Sequence, residues 1–319
     1  MEEKKSLEQK LKEAEEKLKD AEENKGVIEV RDSYLEFAEI YKEEKDWNKF
    51  REYMNKALEK TVGASKKLEY NMDILQSYHL ERNLEKYSEY LSECEKLEEE
   101  GSDWEKKNKM SIYKALENVR RRNFELAAEQ LISTINTFNS EEILKFNDLV
   151  FYCVLLGILS LSRRVVKEKL VQSSDVNTEL KRDILVEKFL KTYHKCEYLS
   201  FFSVLLKLRE RIVKDELLKN HERYILRRLR IIFYQQFLES YKTVTLNNMA
   251  TSFGVSINFI DKELSELIAS GKLKCKIDKL NNVVVSQKPD SRIGQYDKII
   301  KQGDQLIERL HKLARIAQN

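Results

Sequence analysis

The chain has 319 residues, of which 8 are Gly and 1 is Pro; so few turn-forming residues, against roughly 12% in an average protein, exclude an architecture rich in sheet. Charged side chains make up 35% and apolar ones 41%, enough to bury a core beneath a charged surface, so disorder throughout is excluded and amphipathic helices are expected. With 58 basic against 55 acidic side chains the formal net charge is only +3, too little to indicate a nucleic-acid-binding protein by net charge, and any basic patch must be local.

Four cysteines, Cys94, Cys153, Cys196 and Cys275, lie far apart with no C-x-x-C pair. They read as reduced, buried hydrophobes. The opening Met-Glu-Glu-Lys-Lys has no apolar core after it, so no secretory signal is expected. The longest apolar run, 149–161, is 13 residues, short of the roughly 20 that span a bilayer, and predicts a buried helix.

Residues 1–25 predict one amphipathic helix: Leu7, Leu11, Ala14, Leu18 and Ala21 alternate steps of four and three among Lys and Glu, a narrow seam suited to a neighbouring helix. Gly26 ends it. Residues 26–140 carry a weak repeat. Asp46-Trp47-Asn48-Lys49-Phe50, Asn83-Leu84-Glu85-Lys86-Tyr87 and Asn123-Phe124-Glu125-Leu126-Ala127 each open a helical pattern after a polar turn, at intervals of 37 and 40 residues. Tyr41 and Tyr78 each stand six residues before the large apolar residue. Such periods predict a tetratricopeptide-like helical solenoid, although the usual repeat glycine and proline are missing.

Residues 141–221 continue as helix, with dense apolar stretches such as Phe201-Phe202-Ser203-Val204-Leu205-Leu206. Over 222–288 the character changes. A long helix over 222–241 is followed by one that Thr245 can cap, a turn at Gly254, and a third helix that Ser256 can cap. Phe259, Ile260, Leu264, Leu267 and Ile268 share a face of that third helix, and Gly271 stops it. Leu273, Cys275 and Ile277 then alternate with Lys272, Lys274 and Lys276, and Asn281-Asn282 leads into Val283-Val284-Val285. This order predicts a winged helix with a two-stranded wing. Within 289–319, Pro289-Asp290-Ser291 breaks the chain and a last helix is expected from about Tyr296, with Ile299, Gly303, Leu306, Leu310, Leu313 and Ala317 as a second narrow seam.

Particular residues carry a family resemblance. Leu238-Glu239-Ser240-Tyr241, residues 246–254, Phe259-Ile260-Asp261, Glu263-Leu264, residues 271–279, Pro289-Asp290-Ser291 and Gln295-Tyr296 resemble the PCI family (proteasome, signalosome, initiation factor) in its proteasome-lid form. Lys276-Ile277-Asp278-Lys279 and Gly303-Asp304 are the most specific of these, and the likeness covers roughly 100–319 and thins upstream. The resemblance implies an all-α fold: a tetratricopeptide-like helical solenoid leading into a PCI winged helix with a small β-wing, plus a C-terminal helix that joins a bundle. It implies a non-catalytic scaffold in a hetero-oligomer, cytoplasmic and nuclear, with no cofactor. The implied partners are other proteasome-lid PCI subunits, the deubiquitinase-containing lid core, the ATPase ring and a small acidic tether subunit, with no nucleic acid and no membrane. A signalosome or initiation-factor PCI subunit is the alternative. The N-terminus is expected to be shorter than in the family.

The chemistry-bearing residues form no familiar motif. His79, His194, His221 and His311 show neither H-E-x-x-H nor H-x-H spacing, Glu266 stands where a phosphate loop ending in Gly271-Lys272 would need glycine, and G-x-G-x-x-G and G-x-S-x-G are absent. Nucleic-acid binding is the rival reading, because winged helices often read DNA. The third helix, however, sets Asp261, Glu263 and Glu266 against Lys262, a poor match to phosphates. The wing lysines, including Lys279, and the clusters Arg120-Arg121-Arg122 and Arg227-Arg228-Arg230 then read as solvated faces or as partners for acidic protein surfaces. Assembly is expected at two places: the wing, through Leu273, Cys275, Ile277 and Val284, and the tail seam, through Ile299, Leu306, Leu310 and Leu313.

Overall fold

A computed structural model describes residues 14, 16–20, 26–81, 83–101, 103–138, 143–286 and 291–317. Leu7, Leu11 and Ala21 of the first seam lie outside the described residues, as do Pro289 and Asp290; Ala14 is buried and Leu18 packs beside it on the N-terminal core. The chain divides into two compact units, one holding the chain up to Glu187 with Asp215–His221, the other Lys188–Lys214 with everything from Glu222 onward. The last of these cuts falls at 221/222, where the sequence boundary lies, whereas the boundary expected at 140/141 differs from the cut after Glu187. The helix Phe146–Ser160 is the reason for the difference: Leu149 through Leu159 are all buried, and a helix apolar on every side must be enclosed.

In the first unit helices pair along the chain: α1 (Val27–Glu44) with α2 (Trp47–Glu59), α3 (Ala64–Glu81) with α4 (Leu84–Gly101), and α5 (Trp104–Arg120) with α6 (Phe124–Thr134), after which α7 (Phe146–Ser160) packs on α6. The three repeated motifs open α2, α4 and α6, the second member of each pair. One turn closes all three. The backbone N–H of Asp46 donates to the carbonyl of Tyr41 at 3.1 Å, that of Asn83 to Tyr78 at 3.2 Å and that of Asn123 to Asn118 at 2.8 Å. Each bond reaches five residues back, as in a Schellman closure, and at Asp46 and Asn123 it runs across a left-handed residue. Lys45 (φ 62°) and Arg122 (φ 65°) hold that left-handed position, which is how the repeat dispenses with glycine. The spacing of Tyr41 and Tyr78 is thereby explained, since their carbonyls terminate α1 and α3. Asp46 and Asn83 then cap the following helices, accepting from the N–H of Lys49 and Lys86.

The second unit includes α8 (Tyr198–Lys214), α9 (Glu222–Ser240), β1 (Thr243–Thr245), α10 (Leu246–Phe253), α11 (Ile257–Ala269), β2 (Cys275–Asp278), β3 (Val283–Ser286) and α12 (Ser291–Ala317). The same closing turn recurs before Glu197, Val255 and Lys272, whose N–H groups donate to Thr192, Ala250 and Leu267 at 3.1, 3.0 and 2.9 Å. Cys196, Gly254 and Gly271 take the left-handed position. Thr245 accepts from the N–H of Asn248 and Ser256 from that of Phe259, so both expected caps are formed. Buried Phe253 is ringed by Tyr198, Phe201, Tyr234 and Phe237, with centroids 5.1–6.4 Å away. Tilted and edge-to-face contacts of this kind add to area burial and seat the winged helix on α8 and α9.

The wing differs from expectation in one respect. Its sheet has three strands in the order β1-β3-β2, all antiparallel, with Val284 opposite both Val244 and Ile277. Thr245 therefore ends a strand and caps a helix at once. Three residues are too few for alternation to reveal a strand, which is why the sequence predicted two. The tail helix is 27 residues long and begins at Ser291, before the expected Tyr296.

A positively charged side chain supplies a tie across α3, α4 and α5. The Arg120 guanidinium lies 4.6 Å from the ring centroid of buried Tyr87 and donates to His79 Nδ1 at 2.8 Å, while the Tyr87 hydroxyl donates to the carbonyl of Tyr113. Because arginine stays protonated, Nδ1 must be the acceptor and His79 is neutral. Burial, and then the Arg120 charge, push its pKa down to about 4.

Two outcomes follow from this packing. Lys45→Gly should raise unfolding free energy by about 0.5–1 kcal/mol by relieving the left-handed strain, and Lys45→Val should lower it by about 1 kcal/mol or more, read by urea denaturation. For His79, the unfolded chain takes up a proton below pH 6.5 and the folded chain only near pH 4, so stability falls as pH drops through that window, by at most about 3 kcal/mol. His79→Asn should flatten that part of the profile; an NMR titration of His79 centred near 6.5 would contradict it.

Candidate assembly surfaces

The wing brings Leu273, Cys275 and Val284 together, but inward: all three are buried in the winged helix itself, and Ile277 is half-buried. Val284 stands in the central strand with both neighbours paired, so no ladder edge is open at that residue among the described residues. Leu273 lies before β2, in the turn after α11. What the wing does present is the outer edge of β2, which has no strand partner among the described residues. Beside it Lys272, Lys274, Lys276 and Lys279 are exposed, the charged dressing that protects such edges from indiscriminate pairing.

On α12, every described side chain from Gly294 to Arg315 is exposed. Ile299, Leu306, Leu310 and Leu313 are each 55–62% exposed, and Tyr296, Ile300 and Ile307 are exposed beside them. The apolar face is thus broader than the seam expected. A heptad count starting at Ile299 passes over the neighbours at i+1 that a 3.6-residue period brings to the same side. A helix of this length extends about 40 Å and carries an apolar stripe that its own unit leaves uncovered.

On the third winged helix, α11, Glu263 and Asp261 are committed to internal contacts, while Lys262 and Glu266 are exposed. Glu263 receives the Arg230 guanidinium on one oxygen and the Tyr234 hydroxyl, at 2.6 Å, on the other. Burial, reinforced by the Glu263 charge, pushes the Tyr234 hydroxyl far above its usual range. Asp261 meets Lys279 at 3.6 Å. The Arg227-Arg228-Arg230 cluster accordingly divides: Arg230 is an internal partner, while Arg227 and Arg228 face solvent. In Arg120-Arg121-Arg122, Arg120 holds His79, Arg121 pairs with Glu117 at 2.8 Å and Arg122 donates to His221.

His79 and His221 are therefore occupied by arginines and by the Arg120 carbonyl. Among the described residues no group of three His, Cys, Asp or Glu side chains stands close enough to hold a metal ion, and no helix is long and apolar enough to cross a membrane. Burial pushes the thiol of Cys94 up to about 12 and that of Cys153 higher still, which leaves neither poised as a nucleophile.

Comparison with known proteins gives this architecture a family. A profile described as 26S proteasome subunit RPN7 matches residues 1–169, and a PCI domain profile matches residues 190–288. The first match lies largely where the sequence resemblance was thin. The 26S proteasome non-ATPase regulatory subunit 6 homolog of Arabidopsis thaliana is 39% identical over 257 residues, 81% of this chain and 66% of the relative. Its counterpart in Dictyostelium discoideum is 32% identical over 83% of this chain and 69% of the relative. COP9 signalosome complex subunit 1 of Arabidopsis thaliana is more distant, 22% identical over 62% of this chain and 45% of its own length. The chain spans about two thirds of the length of the proteasomal relatives it matches. With more than half of its residues under the first profile and a PCI domain following, the chain belongs to the family of 26S proteasome subunit RPN7.

Proposed function

We propose that this chain is a non-catalytic scaffold subunit of the proteasome regulatory-particle lid, supporting ubiquitin-dependent protein degradation in cytoplasm and nucleus by holding other subunits in place. The single observation that carries the reading is the exposed apolar face of α12. Seven large apolar side chains on one helix form a surface that soluble proteins ordinarily cover, and the family membership points to neighbouring regulatory subunits as what covers it. The β2 edge, with Cys275 and Ile277 in its strand, offers a second point of attachment through backbone pairing. Other PCI subunits of the lid, its deubiquitinase-containing core, the ATPase ring and a small acidic tether subunit are the partners this reading assigns.

The double change Leu306→Asp with Leu310→Asp tests it. Burying four aliphatic side chains of the seam can contribute roughly 6–12 kcal/mol before ordering costs, and two carboxylates cannot be buried there cheaply. Incorporation into the endogenous complex, followed by affinity purification and mass spectrometry, should be abolished. The melting temperature of the isolated chain should stay within about 2 °C of wild type, since both positions are exposed. Recovery of proteasomal ATPases with the wild-type chain supports the lid, and recovery of a cullin-linked set would assign the chain to a signalosome instead.

A further inference from the structure

A third surface stands apart from the wing edge and the tail. Between α8 and α9 lies a groove of about 450 Å³ lined by Phe202, Leu206 and Leu226 and by Phe259 of α11. Two of these are exposed: Leu206 is 63% and Phe259 44% accessible. Phe259 shares its sequence pattern with Ile260, Leu264 and Leu267, yet those three are buried and it is not; its ring leaves the winged-helix core and meets Phe202 edge-on, with centroids 6.0 Å apart. Along α8, Leu199, Phe202, Leu206 and Val213 follow at helical spacing on a side opposite to the buried Phe201, Val204, Leu208 and Ile212. Leu199 and Val213 are exposed as well. The helix is thus apolar on two faces, one for its own unit and one left open.

The rim is basic. Arg209 is engaged by Glu222 at 2.6 Å and Arg230 by Glu263, but Arg223 and Arg227, one turn apart on the exposed side of α9, make no ion pair among the described residues. Of the four arginines that line the groove, two are thus left without a carboxylate, and that imbalance selects the occupant. The chain's own tail helix is the wrong sign, because Lys298, Lys301, Arg309, Lys312 and Arg315 outnumber Asp297, Asp304 and Glu308.

We propose that this groove is a docking site for an amphipathic helix of a partner protein, one that lays apolar anchors against the apolar lining and sets Asp or Glu beside them against Arg223 and Arg227. Helix-in-groove recognition reads anchors at i, i+3/i+4 and i+7. Guanidinium groups on the rim supply paired hydrogen bonds to carboxylates and fix the direction of the incoming helix. A nucleic-acid strand would use the same arginines, but the two rings of the groove, Phe202 and Phe259, already meet edge-on, and its remaining apolar lining is leucine, which offers no face on which bases stack.

A fluorescein-labelled helical peptide of about 18 residues, with Leu at those spacings and Glu flanking them, tests the site on the isolated full-length chain by fluorescence anisotropy. Saturable binding is expected, together with at least tenfold preference over the same peptide flanked by Lys. Arg223→Glu with Arg227→Glu should reverse that preference, and Leu206→Ser should weaken binding about tenfold. All three positions are exposed, so circular dichroism and melting should match wild type. Absence of saturable binding, or equal binding of the Glu- and Lys-flanked peptides, would overturn the proposal. So would saturable binding of a labelled oligouridine that the double arginine change abolishes while Leu206→Ser leaves it intact. Because the assay uses no other subunit, its result is independent of whether the chain enters the lid.

Discussion

A helix ends with carbonyls that have no partner, and a chain made almost wholly of helices must solve that problem at every corner. Here one solution recurs. An N–H five residues beyond a carbonyl returns to it across a left-handed residue, at Asp46, Asn123, Glu197, Val255 and Lys272, and the bond is present again at Asn83. Within the helical stack this turn joins the two helices of a pair, α1 to α2, α3 to α4 and α5 to α6, so that the second packs back on the first. In the winged helix it ends α10 and α11 abruptly enough for the next element to start in a new direction. The difference lies in who occupies the left-handed position. The winged helix uses Gly254 and Gly271, whereas the stack uses Lys45 and Arg122 and accepts the steric cost.

That difference also governs how much of the fold the sequence displayed. The winged helix was readable because its punctuation is conventional: Thr245 and Ser256 cap, Gly254 and Gly271 stop, and Leu273, Cys275 and Ile277 alternate with lysine. The stack lacked the expected glycine and was visible only through Asp46, Asn83 and Asn123, which mark where the second helix of each pair starts. β1 stayed hidden because three residues cannot show a period, and with it the central place of Val284. The unit boundary at Glu187 was hidden for another reason. Helical apolar runs look alike whether they finish one stack or begin the next, and only packing tells them apart.

Among the surfaces, the tail face was legible in its spacing but not in its width. The groove beside α8 was not legible at all, because Phe201 and Phe202 are adjacent in sequence and nothing in residue type says that one is buried and the other half-open. Polar chemistry was misleading in the opposite direction. Arginine clusters and histidines that resemble binding sites on paper are largely paired with each other inside the fold: Arg120 with His79, Arg122 with His221, Arg230 with Glu263. Among the described residues, the outer β2 edge, the apolar face of α12 and an arginine-rimmed groove keep no such internal partners, and the assembly reading proposed above assigns all three to other proteins.

Hydrogen–deuterium exchange of the α12 amides, measured in the free chain and in the purified complex, addresses the assembly role most directly. An exposed helix with no packing partner gains little protection from propensity alone. The account predicts that amides of residues 294–315 exchange far faster than those of α7 in the free chain and become protected to a comparable degree once the complex has formed. Equal protection of α12 and α7 in the free chain, or unchanged fast exchange of α12 in the complex, would contradict it.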